Sequence, residues 1–379
     1  MGKILFNILL GLLLCCITDG YAAQYCARVP YRIEGEKIML RAKVNGVEGN
    51  FIFDTGAPVC LSRTFAARLG VSGGKEVSFQ DSNGQSSTGE VLVLNALTLG
   101  NVTFSQVECA LFEKGSMIES FGVDGVIGYT LFGDKIVEIN GRINQITISD
   151  NRDYFSLNPA WANRMLPGNF VPWLEVKLGD RQVDTVMFDS GAGGFYEISE
   201  KSFLRMKNSH VFRVLDKGHG IFSLGSAGLE DKTTKYRIEV PDFYLGNEKF
   251  KRVTSITTQG DSRLGSEVLK YGIVTIDYPE HKLYLQPFST EVPDMYRKEW
   301  NVIITVMDNH LTAGFIWESM QNQLEGGERI VEINGKRFDK VDAYQAMTTN
   351  MIDLSGRKAE IVVIDKKSGK ERKVEIHQN

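Results

Sequence analysis

Asn50-Phe51-Ile52-Phe53-Asp54-Thr55-Gly56-Ala57 returns later in the chain as Thr185-Val186-Met187-Phe188-Asp189-Ser190-Gly191-Ala192. Each copy is an apolar run that ends in Phe, followed by Asp, a small hydroxyl residue, Gly and Ala. A carboxylate at the end of an apolar strand is costly to bury alone. Two of them, one in each of two similar halves, can meet at the seam between the halves. Facing carboxyls cannot both ionise easily, so they share one proton. One then serves as a base that activates water, the other as an acid toward a carbonyl oxygen. Either triplet by itself reads as an Asp capping a turn after a strand. It is the repetition in matching context that makes Asp54 and Asp189 candidate catalytic residues, with Thr55, Gly56, Ser190 and Gly191 supporting them. The hydroxyls are small enough to bury and hydrogen-bond across the seam, and the glycines let the two loops approach.

Working outward, the likeness between the halves continues. The alternating stretch Ile38 to Gly46 leads into the first Asp strand, and Trp173 to Asp180 leads into the second, so both read as hairpins. Short helical stretches follow at Ser62 to Gly70 and Ser199 to Met206, with Gly70 as a stop signal. Val91 to Asn101 parallels Tyr236 to Asn247, and Gly125-Val126-Ile127-Gly128 parallels Ser262-Arg263-Leu264-Gly265. Strand pairs close both halves: 135–139 with 145–148, and 273–277 with 282–285. A polar, Gly-rich stretch lies between each Asp triplet and its apolar-Gly element, at 80–89 and 218–228. These predict two hairpins folded over a cleft, with Gly84, His219 and Gly220 as candidate substrate contacts; ordinary surface turns are the other reading. Phe53 and Phe188 are expected in the core, and Cys60 is expected to act as a small buried hydrophobe. After Pro287 the pattern changes to a small β-rich module with a helical candidate at 342–350 and a terminal hairpin around Ser368-Gly369.

The 379 residues suffice for two or three domains, and 42% apolar with 24% charged content is that of a folded protein. A net charge of −4 gives no reason to expect nucleic acid or an anionic membrane as partner. Lys3, the apolar run Ile4 to Ile17 and Gly20-Tyr21-Ala22 read as a cleaved leader over 1–22, which implies a secreted or periplasmic protein; a retained anchor helix is the other reading, for which the run is short, and no window after the first twenty residues is long and apolar enough to span a bilayer. Lipid attachment at Cys15 or Cys16 is a minor alternative, since Leu14 stands where a small residue is normally required. Cys26, Cys60 and Cys109 would remain, so at least one is free or pairs with another molecule; a Cys60–Cys109 bridge would staple the first half, but spacing does not fix connectivity. There is no CxxC, HExxH or His cluster, so neither metal nor cofactor is expected.

Phe53-Asp54-Thr55-Gly56-Ala57, Phe188-Asp189-Ser190-Gly191-Ala192, Asp124-Gly125-Val126-Ile127-Gly128 and Leu264-Gly265 together resemble the bacterial aspartyl protease families that are similar to retropepsins and pepsins. The resemblance covers roughly residues 29–288. It implies a mainly β protein of two pseudo-symmetric β-barrel lobes, at 23–150 and 168–290 with a linker at 151–167, in which Gly128 and Gly265 pack under the catalytic loops. A helix near Leu131 is part of that pattern. Trp317-Glu318-Ser319 and Gly327-Glu328-Arg329-Ile330-Val331-Glu332-Ile333-Asn334-Gly335 resemble a PDZ domain, which implies a small α+β module over 291–379 that accepts an extended peptide. The expected activity is that of an aspartic endopeptidase on peptide or protein substrates; the alternative is a catalytically inactive peptide-binding protein of the same fold. Pro58 after Ala57, Arg263 in place of an apolar residue, and the short segment before Gly327 depart from the patterns.

Overall fold

The computed structural model describes residues 25–379 apart from 81–85, 113–121, 169, 223, 226–227 and 350. The expected leader over 1–22 and Gly84 lie outside the described residues. The protein is mainly β, with two similar barrel lobes and a smaller module after them. The hairpin Lys37–Val44 with Val47–Asp54 turns at Asn45-Gly46, both with positive φ, and Trp173–Leu178 pairs with Gln182–Asp189 in the same way. In Trp173–Leu178 alternate residues Leu174, Val176 and Leu178 point inward and are fully buried, the period-two signature of a half-buried strand.

Each Asp strand then runs parallel to a short strand from further along the chain. Gly125–Gly128 lies beside the first, with Asp54 opposite Gly128; Arg263–Gly265 lies beside the second, with Asp189 opposite Gly265. A second short strand, Cys60–Leu61 or Tyr196–Ser199, pairs antiparallel on the far side. Close packing of loop on strand explains the glycines here. A Cβ on Gly128 would sit 1.9 Å from the Ala57 carbonyl oxygen, and one on Gly265 2.2 Å from that of Gly194. Among the described residues of the lobes the α-helices are Arg63–Arg68, capped by Ser62 Oγ accepting from the Phe65 N–H, and Glu200–Met206, capped by Ser199 Oγ accepting from the Ser202 N–H. The helix expected near Leu131 is instead a single 3-10 turn, Tyr129–Leu131, and Ser266–Lys270 is its counterpart. Phe132 is buried and Lys135 leads directly into Ile136–Asn140, which leaves no room for a longer helix.

The lobes are joined by one sheet. Gly272–Asp277 of the second lobe pairs with Ile136–Asn140 of the first, Val274 opposite Ile139 and Ile276 opposite Val137. Ala162–Arg164, between the lobes, adds to its edge beside Lys282–Pro287. One apolar core runs through both lobes and includes Phe53, Ile127, Ile139, Phe188, Leu264 and Ile276; burying each such side chain stabilises by roughly 1.5–3 kcal/mol.

The C-terminal module has its own core around Val302, Leu311, Ile316, Ile330, Ile361 and Ile376. Its strands Val302–Met307, His310–Trp317, Arg329–Ile333, Lys358–Ile364 and Glu371–His377 form a sheet with the helix Ala343–Thr348 between them in sequence. That sheet does not stop at the module. Arg213–Gly220 of the second lobe pairs with His310–Trp317, setting Gly218, His219 and Gly220 opposite Trp317, Ile316 and Phe315. Arg237 stacks on Trp317 at 4.1 Å and donates to the Trp300 carbonyl at 3.0 Å, and Phe222 meets Phe315 edge-on.

Candidate active site

Asp54 and Asp189 sit where the two lobes face each other. A Cβ on Gly191 would lie 2.3 Å from Asp54 Oδ2, and one on Gly56 would lie 3.0 Å from Asp189 Cγ. Each triplet's glycine is therefore the surface on which the other lobe's carboxylate rests. The hydroxyls lock the seam with four bonds. Thr55 Oγ1 donates to the Phe188 carbonyl at 2.7 Å and accepts from the Ser190 N–H at 3.0 Å. Ser190 Oγ donates to the Phe53 carbonyl at 3.1 Å and accepts from the Thr55 N–H at 3.0 Å. Both hydroxyl residues are fully buried, so each bond replaces a group that would otherwise stand unsatisfied.

The Gly56 N–H donates to Asp54 Oδ1 at 2.8 Å; the Gly191 and Ala192 N–H groups donate to Asp189 Oδ1 at 2.9 and 3.1 Å. These backbone donors fix the plane of each carboxyl. Burial, and then the negative charge of Asp189 beside it, push the Asp54 carboxyl up to about 8, against the smaller pull of Gly56 and Lys37. The pair therefore holds one proton through neutral pH. Two cations stand close by. Lys37 donates from Nζ to the Gly191 carbonyl, and the buried Arg263 guanidinium lies 3.8 Å from Asp189 Oδ2. The arrangement can hold a water between an ionised and a protonated carboxyl, which is the apparatus of general acid–base attack on a carbonyl.

Among the other residues singled out from sequence, Gly128 and Gly265 underlie the two Asp strands, and Phe53 and Phe188 are core. His219 is exposed, with Nδ1 3.3 Å from Thr234 Oγ1. Gly218, His219 and Gly220 are strand residues paired on both sides, with Lys235, Thr234 and Thr233 on one and the C-terminal module on the other, rather than part of a free hairpin. A short hairpin, Leu224–Gly225 with Gly228–Leu229, follows them. Cys26, Cys60 and Cys109 are free thiols, so the Cys60–Cys109 staple is not made. Burial pushes Cys109 up to about 12 and Cys60 higher than an ordinary thiol, which keeps both unreactive. Among the described residues no three His, Cys, Asp or Glu are grouped to hold a metal ion, and no helix is long and apolar enough to cross a membrane.

Sequence reasoning missed Glu36 and Lys37. Glu36 lies in the Gly35-Glu36 turn that joins the strand Cys26–Glu34 to Lys37–Val44, where both φ are positive; Lys37 opens the second of these strands, and the turn reaches across the seam. A Cβ on Gly193 would lie 2.3 Å from Glu36 Oε2. Glu36, Gly193, Glu197 and Phe222 help line a cavity of about 440 Å³ beside the second Asp loop. A charged residue in a hairpin turn is ordinary, and nothing local marks these two as neighbours of the dyad.

Residues 40–131 match the family model described as aspartyl protease. The match begins in the hairpin that delivers Asp54 and ends at the 3-10 turn after Gly128, so this part of the chain is an aspartyl-protease-like domain, and the likeness supports a protease. No curated protein matches the chain.

Proposed function

We propose that this protein is an aspartic-type endopeptidase, secreted or periplasmic after loss of residues 1–22, in which Asp54 and Asp189 together activate one water. The observation that carries the reading is the reciprocal lock of Thr55 and Ser190, which sets two backbone-bonded carboxyls against each other across a pseudo-symmetric seam. With one proton on the pair, the ionised Asp189 takes a proton from water as its oxygen attacks the carbonyl carbon. Asp54 gives its proton to the carbonyl oxygen. The tetrahedral diol collapses with proton delivery to the amide nitrogen, the C–N bond breaks, and the pair again holds one proton. Because Asp54 must be protonated, kcat/KM is expected to fall as pH rises through about 8. The test is cleavage of a diverse peptide library by the mature protein from acid to alkaline pH, beside the Asp54→Asn/Asp189→Asn double variant. Cleavage that disappears in the variant is the expected result; cleavage that survives in it would sink the mechanism.

The C-terminal module is read as PDZ-like and as the recruiter of an extended peptide. Its strand Val302–Met307 is laddered only to His310–Trp317 among the described strands, which leaves one edge for β-addition.

The second reading is an inactive peptide-binding protein of the same fold, and Arg263 favours it. Its guanidinium lies 3.8 Å from Asp189 Oδ2, in the place where the first lobe has the apolar Val126. A peptide mimic of the tetrahedral intermediate separates the two: tight binding that is lost in Asp54→Asn belongs to a working dyad, and equal binding to a passive cleft.

A further inference from the structure

The two lobes repeat their pairing register residue for residue around the dyad, so the side chains that flank the two aspartates can be compared position by position. In a strand, the residue two before the Asp lies on the Asp's own face, here the cleft face. In the first lobe that residue is Ile52, paired laterally with Val126, which pairs in turn with Cys60. Ile52, Val126 and Cys60 join Met39, Phe112 and Val123 in a small apolar cluster separate from the main core. In the second lobe the same three places are Met187, Arg263 and Glu197. Arg263 Nε lies 3.1 Å from Glu197 Oε2, and its Nη2 donates to Thr258 Oγ1 at 3.2 Å. The side chains beside Asp54 are thus buried hydrocarbon, and their counterparts beside Asp189 include an ion pair.

Of that pair, the Arg263 side chain is 7% exposed and the Glu197 side chain 38%. The group that a bound peptide meets is the carboxylate. Glu197 lines the cavity of about 440 Å³ together with Glu36, and Gly193 and Gly194 form its wall toward Asp189. With one proton on the dyad, the dyad, Glu36 and Glu197 carry three negative charges against two positive ones on Lys37 and Arg263. Within the lining of this cavity Lys270 and Arg297 pair with Glu267, Arg297 also with Glu299, and Lys235 pairs with Glu230, so among the described residues Glu36 and Glu197 are the lining carboxylates not paired with a cation of the lining. Lys298 is exposed, where its charge is screened.

Resting on the endopeptidase reading, we infer that the cleft takes an apolar side chain against the first lobe and a basic one, Lys or Arg, against Glu197 of the second. An apolar side chain pressed on the second wall would strip water from the ion pair and return nothing, whereas a cation adds a hydrogen-bonded partner to Glu197.

The experiment scans the residues flanking the cleaved bond in one peptide series against the wild-type protein, Glu197→Gln, and Glu197→Cys/Arg263→Val, which copies the first lobe's wall. Wild type is expected to favour an apolar residue on one side of the bond and a basic over an acidic one on the other. Glu197→Gln should shrink that basic-to-acidic ratio by roughly three- to tenfold, the scale of one half-exposed ion pair, and the double variant should turn the preference to Leu. An apolar preference on both sides in wild type, or an unchanged ratio in Glu197→Gln, overturns the inference. The same peptides are also ranked by calorimetric binding to Asp54→Asn/Asp189→Asn protein. If wild type cleaves nothing, the endopeptidase reading fails by itself. The binding order then decides the half-site: basic above acidic, weakened by Glu197→Gln, upholds it, and no discrimination rejects it.

Discussion

At the scale of single residues, two groups carry consequences for stability as well as chemistry. Asp54 is held protonated by burial and by Asp189, so its folded-state pKa lies above its unfolded one. Between about 4 and about 8 the folded protein binds the proton and the unfolded chain does not, so this residue costs progressively more stability as pH rises across that window and no more beyond it. Asp54→Asn removes that cost. Its Tm should match wild type near pH 4, exceed it increasingly up to pH 8, and then run parallel; a gain of equal size at all pH values would show that the proton is not held there. Thr55 makes the opposite contribution. Thr55→Val keeps the shape and deletes two buried bonds, leaving the Phe188 carbonyl and Ser190 N–H without their partner, at a cost of about 2–4 kcal/mol in urea unfolding. Thr55→Ser should recover most of it. Asp54, Thr55, Asp189 and Ser190 could be found from sequence because a motif that occurs twice is its own control. Glu36, Lys37 and Glu197 could not: the first two meet the second Asp loop only across the seam, at Gly193 and Gly191, and Glu197 reaches Asp189 only through its strand partner Arg263, while their local sequence is that of any surface turn or strand.

Secondary-structure elements were legible wherever the signal was local. Both Asp hairpins follow from period-two alternation and turn residues, and both helices begin at the serine whose hydroxyl satisfies a free N–H. Ser62 is buried and Ser199 partly so; replacing either by Ala should cost roughly 1 kcal/mol, and the loss should appear in equilibrium unfolding with no change in the slope against denaturant. A null result at both sites would mean that the helices are held by Phe65 and Phe203 packing alone. Legibility failed where a tertiary partner decides the outcome. Leu131 follows Gly-Tyr-Thr and reads as a helix start, but the chain has one turn in which to bring Phe132 into the core. Gly218 and Gly220 read as lid glycines because glycine is common in lids. Here they are glycine because another strand lies against them: a Cβ on Gly218 would meet the Phe315 ring at 2.3 Å.

For the whole molecule, two sheets decide how many parts unfold separately. The sheet that joins Ile136–Asn140 to Gly272–Asp277 makes the lobes one body, with a single core through both. The strand Arg213–Gly220 extends that body into the C-terminal module, and Arg237 between Trp300 and Trp317 adds buried cation–aromatic contact to the junction. The segment between them is also tied down, since Arg297 pairs with Glu267 at 2.9 Å and Asp294 with Arg252. Three modules read from sequence should therefore melt in one calorimetric transition. Gly220 tests this where the junction is tightest. Its φ is +141° and a Cβ there would lie 2.2 Å from the Gly314 carbonyl oxygen, so Gly220→Val must push the two strands apart. The module keeps its own core of Val302, Ile316, Ile361 and Ile376 and the lobes keep theirs, so neither has reason to unfold. The expected result is one transition in wild type and two in Gly220→Val, with the lower one reproduced by the module expressed from residue 289 onward if that fragment folds. A single, merely lowered transition in the variant would mean that the lobes and module are coupled through the Arg297 segment and the Trp317 stack rather than through the shared strand. Trp317→Ala combined with Gly220→Val would then be the variant that separates them.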